Sequence, residues 1–133
     1  MTINTGCAVN RATGGATPGV DLSNIHSYYV IKADKDGRGI NEIISNKLKS
    51  MGYKATTGPE DTIPVGIDAT VTYIDRWMWD ITMYMLELTI NIDDAKTNYP
   101  LGSGNSYHTS LSRKSPEDMV DEVLTNIFNK EKL

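Results

Sequence analysis

Two alternating stretches meet at a turn with almost no loop between them, and they constrain the fold of this chain more than any other feature. In Thr70 to Trp79, Val71, Tyr73, Trp77 and Trp79 share one face, interrupted by Asp75, while Thr70, Thr72, Ile74, Arg76 and Met78 share the other. In Thr82 to Ile92, Tyr84, Leu86, Leu88, Ile90 and Ile92 line one face, and Met83, Met85, Glu87, Thr89 and Asn91 the opposite one. A repeat of two with one apolar side is the pattern of a strand in a sheet with one buried face. Trp79, Asp80 and Ile81 mark a tight connection, so the two form an antiparallel hairpin.

Two helical patterns supply the cover. Ile40 to Met51 sets Ile40, Ile43, Ile44, Leu48 and Met51 on one side of a helix, and Gly52 is its stop signal. Ser115-Pro116-Glu117-Asp118 opens a second helix: Ser at the N-cap, Pro at the first position, and two carboxylates near the positive end of the helix dipole. Met119, Val120, Val123, Leu124, Ile127 and Phe128 form its apolar stripe. Ser27 to Lys32 reads as a first strand and Tyr53 to Thr57 as a short one. Gly102 to Leu111, polar and broken by glycine, reads as an edge strand. The order β-α-β-β-β-β-α predicts an α+β fold. It is a two-layer sandwich of four or five mostly antiparallel strands with two helices on one face.

The length, 133 residues, suits one domain. Residues 1–25 are Gly, Thr, Ala and Asn with almost no large apolar side chain. Such a segment buries too little to offset its ordering entropy, so it is expected to be a flexible tether leading to a domain over 26–133. The formal charge is −4 with pI about 5.1, which argues against nucleic acid as a partner. No apolar run reaches the roughly 18 residues of a membrane-spanning helix. A single cysteine excludes an internal disulfide.

Candidate chemistry is sparse. Asp34-Lys35-Asp36-Gly37-Arg38-Gly39 hints at a calcium loop, but Arg38 stands at the fifth position and Ser45 at the twelfth, where oxygen ligands are needed. It reads as a solvated turn with Gly39 opening the helix. His26 and His108 are the two histidines, with no pairing typical of zinc. Neither a metal nor another cofactor is expected. Gly102-Ser103-Gly104 lacks the context of a nucleophile elbow, and its glycines read as an edge kink. No enzyme is expected. The enzymatic alternative would use His108 with Ser106 or Tyr107.

The segment from Arg76 to Met85 holds both tryptophans and three of the six methionines. Its bland reading is core, because aromatics pack well beneath helices. Both sides of the hairpin are apolar, however. If Tyr84, Leu86 and Leu88 face the helices, Met83 and Met85 face away, and a large apolar surface remains for a partner. Arg76, Trp77, Met78, Trp79, Met83 and Met85 are therefore the expected contact surface. A rival is a carrier for a small apolar ligand such as a lipid, with a pocket lined by Tyr73, Tyr84 and the Trp pair.

Cys7 is an incidental thiol or a site of lipid attachment. Thr5-Gly6-Cys7 resembles the end of a bacterial lipobox, although Asn4 stands where Leu is usual and the charged and apolar regions of a signal peptide are missing. Met1 to Asn4 then reads as a replaced start on a shortened chain. Acyl chains on Cys7 would hold the protein at a membrane.

The tract Val71-Thr72-Tyr73-Ile74-Asp75-Arg76-Trp77-Met78-Trp79-Asp80, with Ser112-Arg113-Lys114-Ser115-Pro116-Glu117 before the last helix, resembles small bacterial outer-membrane lipoproteins of uncharacterised function, over roughly residues 27 to 130. The element order also resembles the lipopolysaccharide-assembly lipoprotein that plugs an outer-membrane barrel. The resemblance implies a non-catalytic adaptor, anchored to the outer membrane on its periplasmic side and bound to another envelope protein or to lipid. It carries no catalytic residues.

Overall fold

The structure, a computed structural model, describes residues 10–129. Its six strands are β1 (Asn10–Ala16), β2 (Ser27–Ile31), β3 (Lys54–Gly58), β4 (Ala69–Asp80), β5 (Thr82–Asp94) and β6 (Pro100–His108), and its helices are α1 (Ile40–Ser50) and α2 (Pro116–Phe128). They form one mixed sheet in the order β1-β6-β5-β4-β2-β3, with both helices packed on it. The β2-α1-β3 unit makes a parallel pair, and β2 also runs parallel to β4. The remaining neighbours are antiparallel. The α+β class read from the sequence is the observed one.

The core lies between the helices and one sheet face. Ile40, Ile44 and Leu48 of α1 and Met119, Val120, Val123, Leu124 and Ile127 of α2 pack on Val30, Val71, Leu88, Ile90 and Ile92 in one cluster. Both helix starts are satisfied, but differently. Ser115 caps α2 as predicted, its hydroxyl accepting from the Asp118 N–H at 3.1 Å. Gly39, left-handed with φ 74°, offers α1 no side chain. Asp36 does this work from within the preceding turn. Its carboxylate accepts from the backbone N–H groups of Arg38, Gly39 and Asn41 and from the Tyr73 hydroxyl at 2.6 Å. Burial raises the Asp36 pKa, but these hydrogen bonds outweigh it and hold the carboxyl below its usual value. The turn that read as solvated thus has a buried acid at its centre.

Three expectations are corrected. Residues 10–16, assigned to a flexible tether, form β1, and Leu22 is buried in the core with Val20 and Ile25 packed against it. A strand needs backbone partners more than large side chains, and β6 supplies them from Asn10↔His108 to Ala16↔Gly102. The sheet therefore has six strands, and β6 is interior rather than an edge. Its glycines are not a kink. A Cβ on Gly104 would lie 2.9 Å from Ile127 Cγ1 and 3.0 Å from Val123 Cγ1, so the bare backbone forms the floor on which α2 rests.

The third correction concerns β5. Arg76 pairs with Glu87 but Trp77 pairs with Met85, so Leu86 is an extra residue, a β-bulge. It reverses the facing of everything between it and the turn. Met85 enters the core and is completely buried, whereas it was expected on the open face. Tyr84, opposite Met78, leaves the helix side on which it was predicted.

Candidate functional site

β4 and β5 are longer than their neighbours. β2 accompanies β4 as far as Val71, and β6 accompanies β5 from Glu87 onward. Residues 77–86 therefore project as a two-stranded ribbon.

The base of the ribbon is fixed on both sides. On the helix side Trp77 packs against the core, and its indole N–H donates to Asp75 Oδ2 at 2.7 Å. The Arg38 guanidinium lies 3.8 Å from its ring centroid, a cation–π contact from the turn before α1. On the other side Tyr84 is buried beneath Arg113, whose guanidinium sits 4.4 Å from the ring. Arg113 also donates to Thr82 Oγ1 at 2.7 Å, the Asp80 carbonyl at 3.1 Å and the Ser110 carbonyl at 3.0 Å. The Ser110 hydroxyl donates to Asp80. Further down the open face, Glu87 accepts from Asn105 and Arg76 and pairs with Arg11. The Asn105 bond has the largest effect and, joined by Arg76 and Arg11, lowers its pKa against the opposing effect of burial.

The outer end is bare. Trp79 is 69% exposed, Ile81 85%, Met78 47% and Met83 44%. Ile81 forms the turn between the paired Asp80 and Thr82 with φ 68°. That left-handed conformation is unfavourable for any residue with a Cβ and worst for a branched one. Of the six predicted contact residues, Met78, Trp79 and Met83 lie at this exposed end. Arg76 is solvent-facing but held by Glu87, Trp77 is half-buried, and Met85 is inside. Sequence reading missed Ile81, although a single residue squeezed between two alternating runs signals a forced turn. It also missed Arg113. Cys7 lies outside the described residues.

The other candidate chemistry resolves differently. Ser106 and His108 do meet, through α2. The Ser106 hydroxyl donates to Glu122 Oε1 at 2.6 Å, and His108 Nε2 lies 2.8 Å from the same oxygen. An ionised carboxylate only accepts, so Nε2 carries the proton in that bond. Burial raises the Glu122 pKa, but the bonds from Ser106 and His108 outweigh it and lower the value overall. The Ser106 proton points to a carboxylate rather than to the imidazole, and both residues are buried. This is not the geometry of an activated nucleophile, and the cluster instead clamps α2 to β6. Tyr107 faces the opposite side, under Arg11 at 4.6 Å. Tyr73, Tyr84 and the Trp pair do not enclose a pocket: Tyr73 is bound to Asp36, and Tyr84 lies across the sheet from the indoles. A cleft of about 610 Å³ exists elsewhere, between the segment after β1 and the end of α2, lined by Val20, Leu22, Tyr53, Ile127 and Phe128 among others. Among the described residues no helix is long and apolar enough to cross a membrane.

Fold and site together define a small α+β sandwich with a projecting apolar hairpin. Its architecture is similar to that of PelC from Paraburkholderia phytofirmans, whose structure is a dodecamer. The TM-score is 0.61 at 12% identity, covering 90% of this chain and 97% of that one. A single-substitution variant of the same PelC dodecamer gives 0.63 at 12%, covering 90% and 96%. At this identity the likeness establishes the fold. No protein-family profile and no curated protein sequence matches the chain.

Proposed function

We propose that this chain is the folded part of a bacterial envelope lipoprotein, anchored through Cys7 to the outer membrane on its periplasmic side. It acts by binding rather than by turnover. The observation that carries the reading is the exposed apolar end of the β4–β5 ribbon, on a domain whose Ser106 and His108 are buried against Glu122. Exposed apolar patches of this kind are a usual mark of contact surfaces. The PelC-like architecture is consistent with a non-catalytic module, and PelC's dodecameric state brings assembly of identical copies into the proposal. A role in lipopolysaccharide assembly draws no support from that likeness.

The test is acyl labelling in a bacterial host, with the protein expressed from its own gene. The wild-type protein should incorporate labelled fatty acid and sediment with membranes. Cys7→Ser should do neither. Wild-type protein that stays unlabelled would remove the anchor from the proposal.

A further inference from the structure

Nothing in the ribbon itself says what its bare end touches, but the end of the sheet at which β1 begins does. Arg11, Tyr107, Glu87 and Arg76 lie side by side in one row across β1, β6, β5 and β4. From that row, β1 runs backwards towards residue 7 in the same direction as β5 runs backwards towards the turn. Both therefore leave the sheet at the same end. Four residues separate Arg11 from Cys7, a reach of at most about 14 Å. Along β4, the strand without the bulge, five separate Arg76 from Ile81, a projection of about 17 Å at the rise of an antiparallel strand.

We infer that the ribbon tip, Ile81 with Trp79, Met83 and Met78, inserts into the interfacial layer of the bilayer that anchors Cys7. The inference rests on the proposed anchor. A cysteine held at the membrane surface brings the tip to that surface and about 3 Å beyond the furthest point the cysteine can reach. The chemistry of the tip fits a bilayer boundary. Tryptophan suits a zone that is apolar on one side and wet on the other. Arg38, Arg76 and Arg113 stand behind the tip, where anionic headgroups would lie. The carboxylates nearby are each engaged: Asp75 by Trp77, Asp80 by Ser110, and Glu87 by Arg76 and Asn105. Ile81 is the most telling residue. Its backbone favours Gly or Asn and its side chain packs on little in the fold, so a branched apolar residue there is explained by what lies outside the chain.

The single cysteine makes the test specific. The full chain is coupled through Cys7 to maleimide-bearing lipid in phosphatidylcholine vesicles containing phosphatidylglycerol, so the anchor is supplied chemically. Trp77→Phe leaves Trp79 as the sole indole. Coupling should shift Trp79 emission to shorter wavelength, and lipids brominated near the headgroup should quench it roughly twofold. The reciprocal Trp79→Phe protein, which reports from the ribbon base, should be quenched far less. Ile81→Asn with Met83→Ser should abolish the Trp79 quenching without changing the circular dichroism. Complete coupling with unmoved Trp79 emission overturns the inference. So does shielding of Trp79 from acrylamide without quenching by brominated lipid, which would place a second copy of the chain on the tip. Failed acyl labelling in cells would sink the anchor while leaving the vesicle result standing, so the two failures are distinguishable.

Discussion

Replacing Gly104 with alanine tests how α2 is seated. The added Cβ would lie 2.9 Å from Ile127 Cγ1, 3.0 Å from Val123 Cγ1 and 3.1 Å from the Thr13 carbonyl oxygen. None of these atoms yields easily. Ile and Val have one strongly preferred side-chain rotamer in a helix, and the carbonyl belongs to the β1 ladder. The helix would have to lift from the sheet, and overpacking of this kind costs about 1–3 kcal/mol. Against it stands a gain of about 0.4–1 kcal/mol from the smaller entropy of the unfolded alanine chain. The net expectation is a loss of about 1–2 kcal/mol, or some 4 °C in Tm per kcal/mol for a chain of this size. Gly15 is the internal control, since a Cβ there meets nothing within 4 Å. Gly15→Ala should be neutral or stabilising by up to about 1 kcal/mol. Urea unfolding followed by far-UV circular dichroism, with m-values matched, measures both. If Gly104→Ala is as stable as Gly15→Ala, α2 does not rest on β6 as described.

Met85→Ala should cost about 2–5 kcal/mol, whereas Met83→Ala should stay within about 0.5 kcal/mol of wild type. Equal effects in urea titrations would refute the Leu86 bulge. Ile81→Asn should stabilise the fold by about 1 kcal/mol by relieving the left-handed turn, read as a higher urea midpoint. Glu122 has a lowered folded pKa, so its contribution is present above the unfolded carboxyl value of 4.5 and is lost as pH falls through the folded value. Glu122→Gln should flatten that acid limb of a Tm-against-pH curve, and an unchanged limb would show that the clamp is not ionic.

The parts of the fold that were legible are those where side chains report the backbone. The stripes of α1 and α2 and the alternation of β4 and β5 follow from which residues must be buried. β1 was illegible because NRATGGA has almost no apolar side chain to show a period, and it joins the sheet through its backbone ladder and the contacts of Arg11 with Glu87 and Tyr107. The bulge was illegible for the opposite reason. Tyr84 to Ile92 alternates without a break, and nothing local marks Leu86 as the extra residue. One unseen bulge was enough to move Met85 from surface to core and Tyr84 from the helix side to beneath Arg113. At the candidate site, Trp79, Met78 and Met83 could be picked out by composition. Arg113 could not, because its contacts to the turn cross about thirty residues of sequence.

The pairing of β1 with β6 joins segments that lie far apart in sequence, from Asn10↔His108 to Ala16↔Gly102. During synthesis, residues 10–16 emerge well before β6 and wait for their partner until residues 102–108 have been made. Contacts this distant in sequence form late and slow the final closure. Residues 10–16 thus stay unpaired while everything between β1 and β6 is being extruded, and the β6 edge of the sheet is zipped shut only afterwards.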